Sequence, residues 1–189
     1  MKNIAVFASG SGSNAENLIR CFENSAMIRV AVILSNKSDA GVHKRAERLG
    51  VPSFTFTNAE FNEGALILQK LSEYEVHFIV LAGFLLKIPA DLIRAYPDKI
   101  VNIHPSLLPA YGGKGMYGDY VHKAVVAAEE TRTGITIHYV NERYDEGAVI
   151  FQKECPVLPS DTAEEVAAKV HELEYNYYPR IVEKLLLQV

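Results

Sequence analysis

The sequence predicts an α/β fold: a doubly wound, mostly parallel sheet with helices on both faces, completed by a C-terminal antiparallel hairpin and a long helix. Three observations carry this expectation. Short apolar runs, IAVFA (4–8), VAVILS (30–35), SFTFT (53–57), HFIVLAG (77–83) and IVNI (100–103), alternate with helical patterns. Near-continuous apolar strands separated by helices of ~10–15 residues mark βαβ units and a parallel sheet, and right-handed crossovers place the helices on both faces. After residue 110 two further strand patterns, GITIHYV (134–140) and GAVIFQKECPV (147–157), are joined only by NERYDE. That spacing suits a hairpin and is too short for a crossover.

Each helix has its own signature. The first carries Ala15, Leu18, Ile19 and Phe22 on one face. The second is AGVHKRAERLG, closed by Gly50 and Pro52, and the third is EFNEGALILQKLSEY. Ser160-Asp161 opens the last helix, with Glu164 three residues past Asp161 in the spacing of a capping box. Pro179 is expected to kink or restart that helix. No repeat, low-complexity tract or linker interrupts the chain, so residues 1–189 are expected to form one domain.

Composition narrows the function. The net charge is −4 with no cationic block, which argues against a nucleic-acid groove or an anionic membrane surface. The N-terminal MKNIAVFASG has too short an apolar run for a signal peptide, and no segment approaches a membrane span. A soluble, cytoplasmic protein is expected. Cys21 and Cys155 fit no disulfide, zinc or redox pattern and are expected to be buried small apolar residues. No ligand cluster has metal-binding spacing.

The first strand runs into SGSGSN (9–14). A glycine-rich turn there presents backbone N–H groups at a helix N-terminus, an anion site. Ala15 replaces the third glycine of a dinucleotide fingerprint, and the second strand ends in Ser35-Asn36 with no acid for a ribose diol. The loop therefore suits a single phosphate better than a dinucleotide. The alternative is a tight turn in which Ser13 and Glu16 form a capping box.

The octet NIHPSLLP (102–109) ends the fifth strand. Asn102 and His104 are two apart, so they share a face at the carboxyl end of a parallel strand, where open α/β sheets bind ligands. A protonatable imidazole beside an amide N–H supplies two donors for a developing oxyanion. Asp145, in the hairpin loop, is either a turn residue or, if the hairpin folds back over the sheet edge, a carboxylate that favours the imidazolium of His104. His138 shares a strand face with Thr136 and suits a core or supporting position. GGKGMYG (112–118) is a lid or a solvent loop. Glu174 falls on the apolar stripe of the last helix with Val170, Leu173 and Tyr177, either at its edge or facing a pocket.

SGSGSN, VILSNKSDAG, VLAGFLLKI, NIHPSLLPAY, TGITIHYV and YDEGAVIFQ together resemble the glycinamide ribonucleotide formyltransferases of purine synthesis over nearly the whole chain. The resemblance implies transfer of a formyl group from 10-formyltetrahydrofolate to the amine of phosphoribosylglycinamide. It implies Asn102, His104 and Asp145 as catalytic residues, and Gly12, Ser13 and Asn14 as a phosphate loop. It also implies acceptor binding by the stretch His171, Glu172, Leu173 and Glu174, in which Glu174 holds the ribose. The folate is implied to lie along Leu85, Leu86, Lys87 and Ile88 as well as Asn102. Residues 1–105 become the phosphate-binding βαβ half and 106–189 the folate and catalytic half; a monomer or weak homodimer is expected. Gly64 stands where some relatives carry an arginine, and Leu86 at a second position suited to a basic residue, which bears on folate affinity. Methionyl-tRNA formyltransferase shares the octet but needs a further RNA-binding domain, and formyltetrahydrofolate hydrolase carries a regulatory domain ahead of its catalytic one. A non-catalytic nucleotide-binding module would leave Asn102, His104 and Asp145 coincidental.

Overall fold

Valine, isoleucine and leucine fill both faces of the central strands because both faces are covered. The computed structural model describes residues 1–188. Its strands are β1 (Lys2–Phe7), β2 (Ile28–Ser35), β3 (Ser53–Thr55), β4 (Val76–Leu81), β5 (Ile100–His104), β6 (Arg132–Tyr139) and β7 (Val149–Pro156). They form one sheet in the order β3-β2-β1-β4-β5-β6-β7. Pairing is parallel from β3 to β5 and antiparallel for β5–β6 and β6–β7. The order reverses direction between β1 and β4, and the crevice beyond such a switch point is where doubly wound sheets bind ligands.

The helices are α1 (Ser13–Phe22), α2 (Gly41–Arg48), α3 (Asn58–Glu63), α4 (Ala65–Glu73), α5 (Ala90–Ala95), α6 (Asp119–Ala127) and α7 (Ala163–Leu187). Alternation along β1 sends Ile4 and Val6 into a core with α1, α2, α6 and α7. Ala5 and Phe7 enter the opposite core with α3, α4 and α5. There Phe56 and Phe61 stack with ring centroids 4.9 Å apart, and Phe84 meets Phe7 edge-on at 5.4 Å, anchoring the loop after β4.

Four local expectations change. The third helical pattern is two helices, because Gly64 adopts φ 75 and ends α3 where α4 begins; Thr57 and Glu60 form a capping box ahead of α3. The box of the last helix lies one residue later than the spacing predicts, with Thr162 and Glu165 exchanging bonds. α7 also runs through Pro179 without restarting. Proline leaves the carbonyl four residues earlier without its helical donor, and here that carbonyl, on Tyr175, accepts the Asn17 Nδ2–H from α1 at 3.0 Å. Finally, Cys21 is exposed and Cys155 half-buried, so neither is a core residue.

Candidate active site

The turn after β1 is shaped by Gly12, whose φ of 76 is left-handed. A Cβ there would come within 2.5 Å of the Val42 side chain. No side chain caps α1. Glu16, the alternative capping-box partner of Ser13, turns to Arg20, Arg45 and Arg48 instead. Its bonds to Arg45 and Arg20 lower its pKa to about 2. Arg45 also donates from Nε to the Ser11 carbonyl at 2.8 Å, bracing the loop. The first-turn N–H groups of α1 therefore face the crevice with no side chain claiming them. Ser9 ties this loop to its neighbours: its hydroxyl donates to Asn36 Oδ1 at 2.6 Å and accepts the Leu85 N–H at 3.0 Å.

Register builds the second part. In the antiparallel β5–β6 pair, Asn102 lies opposite His138 and His104 opposite Thr136. The Thr136 hydroxyl donates to the Ser106 carbonyl at 2.7 Å and accepts the Leu108 N–H at 3.0 Å, fixing the proline-bounded turn. His104 donates from Nε2 to the Tyr111 carbonyl at 2.7 Å, which leaves Nδ1 facing Asp145 Oδ2 at 3.6 Å. His138 donates from Nδ1 to the Tyr139 carbonyl at 2.8 Å, so its Nε2 is free to accept the Asn102 Nδ2–H at 3.2 Å. That same Nε2 stands 3.6 Å from Asp145 Oδ1. Asp145 itself has φ 55 and accepts the Gly113 N–H at 2.9 Å. The hairpin does fold back. A Cβ on Gly147 would sit 1.6 Å from the Tyr139 carbonyl oxygen, so only glycine allows it.

One carboxylate thus lies between two imidazoles. At 3.6 Å neither ring nitrogen is within hydrogen-bonding distance of Asp145, and a protonated His104 acts on it through charge. Burial pushes the Asp145 carboxyl up, but the His138 ring, the His104 charge and the Gly113 N–H outweigh it, and its pKa lies below the ordinary value. For His104 the balance is reversed. Burial lowers its pKa, and the pull of Asp145 and of the Tyr111 carbonyl upward does not fully offset it. The expectation that Asp145 favours the imidazolium holds for its own effect. It fails for the net result, since the ring is 4% exposed and desolvation dominates.

The two parts share one cleft of about 550 Å³. It brings together Gly12, Ser13, Asn14, Leu85, Asn102, His104, Asp145, His171 and Glu174. Glu174 faces this cleft rather than the stripe's edge, and its Oε2 accepts the Asn14 Nδ2–H at 2.8 Å. Burial raises its pKa, with Asn14 pulling the other way. Leu86, Lys87 and Ile88 line a smaller adjoining cleft that shares Asn102 and Asp145. Glu172 is exposed and Leu173 packs on the core, so neither reaches the main cleft. Lys114, within the glycine-rich loop, and His122, on α6, line the cleft as well. The helical patterns found in the sequence do not include α6, although Val121 and Val125, four apart, mark its buried face. Among the described residues no group of three or more His, Cys, Asp or Glu could hold a metal ion, and no helix is long and apolar enough to cross a membrane.

Residues 2–182 match the formyl transferase family. The chain is 39% identical over 191 residues to the phosphoribosylglycinamide formyltransferase of Bacillus subtilis, covering 98% of this chain and 95% of that protein. It is 44% identical over 189 residues to the chloroplastic phosphoribosylglycinamide formyltransferase of Vigna unguiculata, covering 97% of this chain but only 61% of the plant protein. Among solved structures, glycinamide ribonucleotide transformylase 1 from Geobacillus kaustophilus superposes with a TM-score of 0.89 at 37% identity, over 98% of this chain and 99% of that one. Matched by the family over residues 2–182 and by these relatives and this fold across almost its entire length, the chain belongs to the formyl transferase family, among the phosphoribosylglycinamide formyltransferases.

Proposed function

We propose that the protein transfers the formyl group of 10-formyltetrahydrofolate to the primary amine of 5'-phosphoribosylglycinamide, releasing tetrahydrofolate, as a step of purine biosynthesis. The observation that carries this reading is Asp145 held between His104 and His138, beside an Asn102 amide pinned by His138 and next to the open N-terminus of α1. The names borne by the B. subtilis and G. kaustophilus relatives support it.

In this reading the acceptor's phosphate meets the first-turn N–H groups at Gly12, Ser13 and Asn14. Glu174 takes the ribose hydroxyls and His171 stands one turn away. The folate lies along Leu85 to Ile88 with its formyl group at Asn102. The amine nitrogen attacks the formyl carbon and the carbonyl oxygen becomes anionic. One Asn102 amide hydrogen is committed to His138 and the other is free for that oxygen. His104, protonated on Nδ1, adds positive charge beside it. The amine proton leaves towards Asp145, through water, and a proton reaches N10 as the carbon–N10 bond breaks. Residues 1–105 supply the phosphate loop, and 106–189 close the site with the hairpin and α7.

The test is to incubate the protein with 10-formyltetrahydrofolate, with and without the acceptor. Tetrahydrofolate and formylated acceptor should appear only when both are present. Release of tetrahydrofolate without the amine would make the protein a hydrolase, and no release would overturn the reading.

A further inference from the structure

The cleft holds a histidine that the chemistry above leaves idle. His122, on α6, is 2% exposed, lines the cleft, and keeps its Nδ1 enclosed without a partner. A buried ring nitrogen that bonds to nothing costs stability. An apolar side chain would leave no such atom unpaired, so packing alone does not explain the residue.

Its neighbours suggest a purpose. The ring stands perpendicular to that of His171, on α7, with centroids 6.3 Å apart, and His171 in turn stacks on Tyr175. His171 lies one turn before Glu174, the residue bonded to Asn14 at the start of α1. Both imidazoles thus line the cleft that is also lined by the loop whose backbone N–H groups are unclaimed. The groups that act on His122 are His171 on α7, Asp119 on its own helix and His104 on β5, and Glu174 and Lys114 line the same cleft. Burial and the two other histidines hold its pKa below the ordinary value, against Asp119.

We propose that His122 and His171 together take up one proton when a phosphate monoester enters this cleft, so that acceptor binding is proton-coupled. This rests on the phosphate reading given above. A phosphate monoester loses its second proton near pH ~6 and arrives at neutral pH as a dianion. In the empty cleft burial holds His122 towards its neutral form. The dianion favours a charged imidazole, while repulsion between the rings disfavours two, so the pair gains one proton and shares it. The sign follows. A pKa raised in the complex strengthens binding at low pH, and that gain is lost as pH rises through the raised value, by up to about tenfold per pH unit for one proton.

Ribose 5-phosphate is the probe, because it carries the phosphate without the acceptor's own titrating amine. Its binding is followed by calorimetry at pH 7.5 in PIPES and in Tris, whose ionisation enthalpies differ. Uptake of more than about half a proton is expected in wild type, and less than half of that uptake in His122→Gln. Zero uptake in wild type, uptake unchanged in His122→Gln, or no binding would each overturn the proposal. The formyl-transfer assay on the same preparations separates the two readings. Product without proton uptake leaves the enzyme assignment standing and removes this proposal; uptake without product does the reverse.

Discussion

Glu174 Oε2 accepts a hydrogen bond from Asn14 Nδ2 at 2.8 Å, joining the first turn of α1 to the middle of α7 across 160 residues of sequence. The carboxylate therefore lies beside the backbone groups proposed to receive a phosphate, where the same proposal assigns it the hydroxyls of an attached sugar.

Glu174→Gln should keep the fold, because the amide oxygen still accepts from Asn14, yet it should weaken acceptor binding by about 1–3 kcal/mol through loss of a charged acceptor. Calorimetry with the acceptor decides this, and unchanged affinity would remove Glu174 from the sugar site.

Gly12→Ala places a methyl group against Val42 in a left-handed backbone. Stability should fall by about 1–3 kcal/mol, and the acceptor KM should rise far more than the folate KM. Adding Val42→Ala should recover part of the stability, as the steric conflict lies between those two positions. Recovery of nothing would show that the strain is purely conformational.

Asp145→Asn removes the main influence that raises the His104 pKa while leaving the burial that lowers it. The His104 ring should titrate below the ordinary histidine value in wild type and lower still in the variant, as read by NMR. As the proposed chemistry uses a protonated His104, kcat should fall by about 10²–10⁴-fold. The Asp145→Asn, His104→Ala double variant should lose much less than the product of the single effects. A His104 pKa that stayed put would dissolve the pairing.

His104 and His122 both have pKa values lowered by burial, so the unfolded chain binds protons that the folded chain refuses. Their contribution to stability is intact above about pH 6.5. It is lost as pH falls from there towards the folded values, at about 1.4 kcal/mol per pH unit for each ring. Thermal unfolding at pH 7.5 and pH 5.5 should show the loss. The drop should be smaller in His122→Gln; an equal drop would mean that His122 does not titrate in this range.

Strands, topology and the polar end of β5 are legible in the sequence because periodicity and residue type are local. Asn102 and His104 announce themselves by interrupting an apolar run. The placement of Asp145 is legible only as a condition, since it depends on the sharp return permitted by Gly147. The split at Gly64 stays hidden because an apolar period continues across it, and a left-handed glycine leaves no mark on that period. His122 escapes notice because the helix bearing it follows a glycine-rich stretch that reads as loop. The net pKa of His104 is concealed for a related reason: charge partners can be guessed from sequence, whereas desolvation belongs to the assembled fold.

Pro179 has a consequence beyond the helix that contains it. By releasing the Tyr175 carbonyl, it gives α7 one backbone acceptor that points outwards midway along its length, and Asn17 of α1 occupies it. That bond works as an alignment pin. A long helix lying against another can slide by a turn at little cost in apolar packing, but sliding here would strand a carbonyl. The pinned residue immediately follows Glu174, so the same proline that looks like a flaw in the helix sets the height at which the carboxylate meets Asn14.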